Sequence, residues 1–242
     1  MTRLKADLVD EHYYRDQKWF MENITRYDKY NRKGPKVFAG EYACHISQPA
    51  LPVPEGKNVF EGALYEAALL TGIERNADVV HMATYAPLFA HEEGWQWRPD
   101  LIWMDNLKTV RTPNYYVQQL YAMNPGTNVL SLTENKQPVT GQDGLCASAV
   151  FDKASGKYIV KFVNLGDQPQ QVQITFKGLK VAPSVENATV VFFHSDDPMA
   201  CNTMKNIAVA PSKEMSAASV ASAEKNAVKL QVPARTFAVY KF

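Results

Sequence analysis

Lys36-Val-Phe-Ala-Gly-Glu41 is a short β-rich run that closes on a glycine and an acid, and its flanks decide the fold. Upstream lies a second β-rich run, Ala6-Asp-Leu-Val-Asp10, followed by a helical stretch over residues 16–30. Downstream, a helix is expected from about Asn58, which can cap it, with Phe60, Leu64, Ala67, Ala68 and Ile73 near one face. A third strand follows, Asp78-Val-Val-His-Met-Ala-Thr84. Short strands alternating with helices are the pattern of parallel βα units. Beyond a loop rich in Trp, Pro and acids, Thr112-Pro113 supplies an N-cap and a first-turn proline. They open a helix through Tyr116, Leu120 and Met123 to Asn124-Pro-Gly126.

From Thr127 onward the pattern changes to short alternating runs broken by turn residues. Residues 145–151 and 158–164 flank a Lys153-Ala-Ser-Gly156 turn, and residues 170–176, 189–194, 228–232 and 237–242 continue at β-sandwich spacing. The Ala/Ser/Lys stretch 210–226 reads as a long hairpin loop. All four tryptophans and ten of the twelve tyrosines precede residue 127, so the two parts differ in architecture. The expected division is an α/β part, 1–126, and an all-β part, 127–242. Three parallel units cannot close a barrel, and an open sheet of three leaves both edges unpaired, so the first part is incomplete by itself.

At 242 residues the chain is one large domain or two modest ones, and 46% hydrophobic against 21% charged residues excludes a disordered or fibrous chain. A formal net charge of +1 provides no field to attract nucleic acid or an anionic membrane. The greasiest stretch, residues 63–73, is interrupted by Glu66 and too short to span a bilayer. Acids stand where a signal peptide needs its apolar region, so the expectation is a cytoplasmic protein or one whose upstream part is missing. Cys44, Cys146 and Cys201 are odd in number and widely spaced, which reads as buried free thiols. No two of His12, His45, His81, His91 and His194 have metal-ligand spacing, and no GxGxxG, GxxxxGK[ST] or GxSxG occurs, so no metal or cofactor is indicated.

Glu41 directly follows its strand, which puts its carboxylate at the strand's C-terminal end, where parallel α/β folds place ligands. An acid at a strand end is, by itself, ordinarily just solvated. His12, Tyr13 and Tyr14 follow the first strand in the same way, as either a packed aromatic shelf or a polar lining. Trp95 and Trp97 flank Gln96 and precede Arg98; indole faces beside polar forks suit sugar rings, and core or lid packing suits them equally.

Taken together, Asp10-Glu-His-Tyr-Tyr14, Gly34-Pro-Lys-Val-Phe-Ala-Gly-Glu-Tyr-Ala43, Glu66-Ala-Ala-Leu-Leu-Thr-Gly-Ile-Glu-Arg-Asn76 and Ala77-Asp-Val-Val-His-Met-Ala-Thr-Tyr-Ala-Pro-Leu-Phe89 resemble α-L-arabinofuranosidases of glycoside hydrolase family 51. The resemblance continues through Trp97-Arg-Pro-Asp-Leu-Ile-Trp103, Thr112-Pro-Asn-Tyr-Tyr-Val-Gln-Gln-Leu120 and Val232-Pro-Ala-Arg235. It implies the C-terminal part of a (β/α)8 barrel, about strands six to eight, followed by a jelly-roll-like β-sandwich. It also implies retaining hydrolysis of terminal arabinofuranosyl groups on arabinose-containing oligo- or polysaccharides, without a cofactor. By the same resemblance Glu41 matches the nucleophile, His12 and Tyr14 match sugar-orienting residues, and the Trp95–Trp97 loop borders the pocket.

One departure stands out. The family's acid/base Glu lies on strand four in a Gly-Asn-Glu type motif, and this chain starts at what resembles strand six. Glu11, Glu92 and Glu93 are nearby acids, but none stands in such a motif. The expectation is therefore a C-terminal fragment that carries the nucleophile, with self-association or a complementing N-terminal segment covering the open sheet. The competing reading is a non-catalytic carbohydrate-binding or assembly module. The compartment stays open, since a parent enzyme acting on plant polysaccharide would be periplasmic or secreted.

Overall fold

The computed structural model describes residues 5–49, 51–224 and 226–242, so residues 1–4 of the charged amino-terminal run and Lys225 in the 210–226 stretch lie outside the described residues. Three parallel strands, β1 (Leu8–Arg15), β2 (Lys36–Cys44) and β3 (Val80–Ala83), form one sheet in the order β1-β2-β3. Helix α1 (Gln17–Glu22) follows β1, α2 (Phe60–Arg75) lies between β2 and β3, and α3 (Pro113–Ala122) closes this half. Among the described residues the outer edges of β1 and β3 are unpaired. Leu8, Val9 and Met82 are exposed on these edge strands, at 39%, 42% and 48%.

Several boundaries differ from expectation for local physical reasons. β1 runs on through His12, Tyr13 and Tyr14, which therefore lie within the strand, and β2 runs on to Cys44 because its residues 41–44 stay paired with β1, so Glu41 lies inside the strand and not after it. α1 stops at Glu22, well short of residue 30, although Asp16 caps it as a helix start should, accepting from the Trp19 N–H at 2.9 Å. The Ile24 carbonyl, which a longer helix would use internally, accepts instead from Arg75 at 3.1 Å. There α2 presses against the chain so closely that a Cβ on Gly72 would fall 2.0 Å from that same oxygen. The Trp-rich loop contains a small sheet that the sequence reading lacks: β4 (Phe89–His91), β5 (Ile102–Met104) and β6 (Thr109–Arg111). Thr112 does cap α3, with Pro113 at its first position.

The all-β part begins after α3. Strands β7 (Asn128–Leu130), β8 (Thr133–Glu134), β9 (Gln137–Pro138), β10 (Thr140–Gln142), β11 (Leu145–Asp152), β12 (Lys157–Asn164), β13 (Gln170–Thr175) and β14 (Thr189–His194) come first. β15 (Met215–Ser216), β16 (Ala221–Glu224), β17 (Ala227–Val232) and β18 (Thr236–Lys241) complete it. A large sheet in the order β10-β11-β12-β18-β14-β15, with β7 on β11, faces a three-stranded sheet, β13-β17-β16. The strands expected near 145–151, 158–164, 170–176, 189–194, 228–232 and 237–242 are all present within one or two residues. Residues 210–226 are less loop-like than expected, because Ala217 is fully buried and its N–H bonds the Ala188 carbonyl at 2.9 Å between β15 and β16.

α2 joins the two parts. Twelve of its sixteen residues are buried, so it is enclosed on nearly all sides instead of showing one apolar stripe. One continuous core runs from Tyr13, Val37 and Tyr42 on the parallel sheet, through Phe60, Leu64, Leu69 and Ile73 on α2, to Cys146, Val163, Phe193 and Phe237 on the large sheet. Each such aliphatic or aromatic side chain contributes roughly 1.5–3 kcal/mol when fully buried. Asn58 does not cap α2 as expected: the N-cap is Val59, without a side-chain bond. The first helical N–H groups, of Phe60 and Glu61, instead meet the Ala200 and Pro198 carbonyls of the sandwich, both at 2.9 Å.

The far end of α2 is held by a buried ion pair. Lys161, on β12 and fully buried, places Nζ 2.5 Å from Glu74 Oε1 and 2.8 Å from the Asn124 carbonyl, above the Tyr121 ring. Ser148 on β11 donates to Glu74 Oε2 at 2.5 Å. Removing one partner of such a pair leaves the other charge buried, at a cost of about 3–5 kcal/mol. Lys161→Ala should lower stability by that order in urea titrations. Because all four tryptophans precede residue 127, their fluorescence should lose structure together with the far-UV dichroism of the sandwich. Two separated transitions would show that the halves fold independently.

Candidate active site

The site is set by a shift in strand register. Asp10 on β1 pairs with Phe38 on β2, but His12 pairs with Glu41, so two steps on β1 match three on β2. The extra β2 residue switches side-chain parity. Val37 and Ala39 are buried before it, Tyr42 and Cys44 after it, and Glu41 is thereby turned to the face shared by His12 and Tyr14. Gly40 sits at the shift because nothing larger fits: a Cβ there would lie 2.3 Å from Asp10 Oδ1, which accepts the Gly40 N–H at 3.2 Å.

Around Glu41, Tyr14 OH donates to Oε2 at 2.7 Å, and His12 Nδ1 lies 3.5 Å from the same oxygen. His12 Nε2 faces Asp10 Oδ2 at 2.9 Å. Burial, and next the hydrogen bond to the Glu41 carboxylate, raise the Tyr14 pKa, so this phenol keeps its proton and acts as a donor. One carboxylate oxygen is thus held by a neutral donor, while the Glu41 side chain, 42% exposed, remains open to a ligand. Glu11 points away with the alternate strand face and is bound by Tyr13 and Tyr30 and by Arg26 at 3.0 Å. Glu92 and Glu93 lie in the turn after β4, and among the described residues neither forms a hydrogen bond or ion pair with Glu41 or its partners His12 and Tyr14.

The two loop tryptophans separate. Trp97 packs edge-on against Tyr14 with ring centres 5.6 Å apart and lies equally far from His45. Trp95 is not part of that contact; it packs on Trp103 at 6.0 Å, beneath the Arg98 guanidinium. Burial, followed by Lys57, lowers the His45 pKa, and His45 Nε2 is buried without a partner among the described residues. A cleft of about 490 Å³ opens beside Tyr14 and His45 toward Asp16, Trp19 and Glu22, and Glu41, His12 and Trp97 do not line it. A larger one, about 910 Å³, lies in the sandwich between aliphatic and amide side chains and holds no comparable arrangement of acid, imidazole and phenol.

Below this layer is a buried polar network. Asn58 donates to Tyr85 OH and Asn114 Oδ1, both at 3.1 Å, and accepts the Asp100 N–H at 3.0 Å and Trp103 Nε1–H at 3.3 Å. Burial pushes the Asp100 carboxyl up to about 7. Glu66, fully buried on α2, accepts the Cys44 N–H at 2.8 Å, and burial pushes it up to about 8. Asp10, His45, Asn58 and Asp100 were not singled out as site residues from sequence. Only Asp10 carried a usable signal, its two-residue spacing from His12, which places both on one strand face.

The family model described as the α-L-arabinofuranosidase C-terminal domain matches residues 40–235. An extracellular exo-α-L-arabinofuranosidase of Streptomyces chartreusis is 45% identical over 145 residues, covering 58% of this chain and 16% of the relative. Alpha-L-arabinofuranosidase 1 of Arabidopsis thaliana is 36% identical over 180 residues, 72% of this chain and 24% of the relative. The chain thus spans a quarter or less of these two relatives. An arabinose-bound family 51 α-L-arabinofuranosidase (MgGH51) superposes with a TM-score of 0.80 at 26% identity over 97% of this chain and 36% of its own. For the Thermotoga maritima α-L-arabinofuranosidase arabinose complex the TM-score is 0.70 at 16% identity over 98% and 52%, a likeness of fold.

Glu66 carries a pH signature. Its pKa is raised in the folded chain, so the folded state holds this proton more tightly than the unfolded state does. Its contribution is fully present below the ordinary carboxyl value of about 4.3 and is lost as pH rises toward about 8. Glu66→Gln keeps an oxygen for the Cys44 N–H and cannot ionise. Its unfolding free energy relative to the parent, from urea titrations, should climb between pH 5 and pH 8, at a limit of about 1.4 kcal/mol per pH unit. A pH-independent difference would mean that Glu66 is already ionised in the fold.

Proposed function

The chain belongs to the α-L-arabinofuranosidase C-terminal domain family of glycoside hydrolase family 51, and from that premise we propose that it carries the nucleophile half of a retaining arabinofuranosidase site. The observation that carries this reading is the 2.7 Å hydrogen bond from Tyr14 to one oxygen of Glu41, with His12 beside it and the other oxygen open. In the proposed step the open oxygen attacks the anomeric carbon of a terminal arabinofuranosyl group. The bond to the leaving oxygen breaks, that oxygen takes the electron pair, and a covalent glycosyl-enzyme forms that water then hydrolyses. Tyr14 holds the carboxylate in its attacking rotamer, His12 and Asp10 present polar edges to the sugar hydroxyls, and Trp97 offers a ring for its C–H face.

The second carboxylic acid, which a retaining enzyme places roughly 5 Å from the first to protonate the leaving group, is not supplied by Glu11, Glu92 or Glu93. Turnover then depends on a leaving group that needs no proton or on a segment that brings the acid. The unpaired edges of β1 and β3, with Leu8, Val9 and Met82 exposed, support a complementing segment or a second copy over the open sheet. These edges equally favour a second reading, an assembly module without catalysis of its own.

An activated aryl α-L-arabinofuranoside separates the two. The purified chain should hydrolyse it slowly, Glu41→Gln should abolish the reaction, and Tyr14→Phe should slow it roughly 10–100-fold through loss of a charge-assisted hydrogen bond. Arabinosides with poor leaving groups should react about 10²–10⁴-fold less well, for want of the acid. Turnover that survives Glu41→Gln would remove Glu41 from the chemistry. Inactivity both alone and with an added N-terminal segment would leave the assembly reading.

A further inference from the structure

The wall that Trp97 forms lies in a loop without regular structure between β4 and β5, so its position depends on side-chain moorings. Arg98, the next residue, donates to the Val53 carbonyl at 2.9 Å. Two residues beyond Arg98, the Asp100 N–H is held by Asn58 Oδ1 at 3.0 Å, and the same oxygen takes the Trp103 indole N–H at 3.3 Å. The Asn58 amide nitrogen is fixed in turn by Tyr85, between β3 and β4, and by Asn114 at the start of α3. Asn58 is fully buried, and both polar ends of its amide are engaged by groups from three other segments. No other natural side chain offers a donor and an acceptor in that length and shape.

We propose that Asn58 is a positioning residue of the sugar site: it ties the carboxyl end of the Trp97 loop, at Asp100, and the strand that follows, at Trp103, to the base of α2 and so sets the Trp97 ring against Tyr14. This rests on the reading of Glu41, Tyr14 and Trp97 as that site. Asn58 touches neither Glu41 nor Trp97, and acts through the loop backbone at Asp100 and through Trp103.

The four tryptophans make the placement observable, since fluorotryptophan labelling of the whole chain yields one fluorine resonance for each, assigned by single Trp→Phe replacements. Asn58→Ala should displace the Trp97 and Trp103 resonances and leave that of Trp19 in place. A core substitution in the sandwich, Val163→Ala, should lower the melting temperature without moving Trp97, which separates positioning from general loss of stability. Asn58→Asp, which keeps an acceptor for the Asp100 and Trp103 N–H groups, should restore Trp97 to its parental position. If alanine prevents folding, Asn58→Ser takes its place, because its hydroxyl is too short to reach both N–H groups.

Added methyl α-L-arabinofuranoside should shift the Trp97 resonance of the parent, with a half-saturating concentration at least threefold higher in the alanine or serine variant. A Trp97 resonance that stays fixed while Trp103 moves would overturn the proposal, as would Asn58→Asp displacing Trp97 as far as alanine does. A parent that shows no ligand shift would count against the sugar-site reading alone, because the displacement of Trp97 is read without ligand.

Discussion

The enclosure of α2 between two sheets is the constraint on which the rest of the structure depends. A helix buried on nearly all sides cannot leave its end groups to water, so both ends must be satisfied by protein. The sandwich does this at the first turn, where the Pro198 and Ala200 carbonyls accept the first N–H groups; at the last turn Asn76 and Ala77 meet the final carbonyls, and Lys161 and Ser148 hold the Glu74 side chain. The sandwich has a core of its own between its two sheets, with Val160, Phe162, Ile174, Val228 and Leu230, whereas the parallel sheet is braced from behind by a helix that the sandwich anchors. The polar groups that terminate α2 thereby also fix the strand that presents Glu41.

On that braced sheet, one extra residue in β2 decides what the site contains. Without the shift between the Asp10 and His12 pairs, Gly40 would stand beside His12 and the Glu41 carboxylate would point toward α2. With it, an imidazole and a phenol share the face of an acid and each lies within 3.5 Å of its carboxylate, and Asp10 closes over the glycine. Burial then assigns protons. Tyr14 keeps its own and donates, while Glu66 and Asp100, below the surface layer, have raised pKa values.

Much of the fold was legible because it rests on local pattern. Alternating apolar residues marked the sandwich strands to within one or two residues, and Thr112-Pro113 marked the start of α3, since caps and strand periodicity act over a few neighbouring positions. Where the expectation missed, a distant contact had overridden a local preference. Asn58, a good cap by type, is drawn into the Tyr85, Asn114 and Trp103 network, and α1 is cut short where Arg75 takes the Ile24 carbonyl. Lys161, inside an otherwise apolar strand, gave no hint of a partner in a helix far away in the chain.

Residue types and their spacing by themselves determined the two-part architecture and the parallel βα order, because both depend on short-range periodicity and turn chemistry. Only the tertiary structure decided that Glu41 faces His12 and Tyr14, that Trp97 joins them while Trp95 packs on Trp103, and that Asn58 ties down the loop between β4 and β5. Those outcomes hang on strand register and on hydrogen bonds between segments dozens of residues apart. No local pattern encodes them, because a shift of one residue turns a side chain to the opposite face of the sheet.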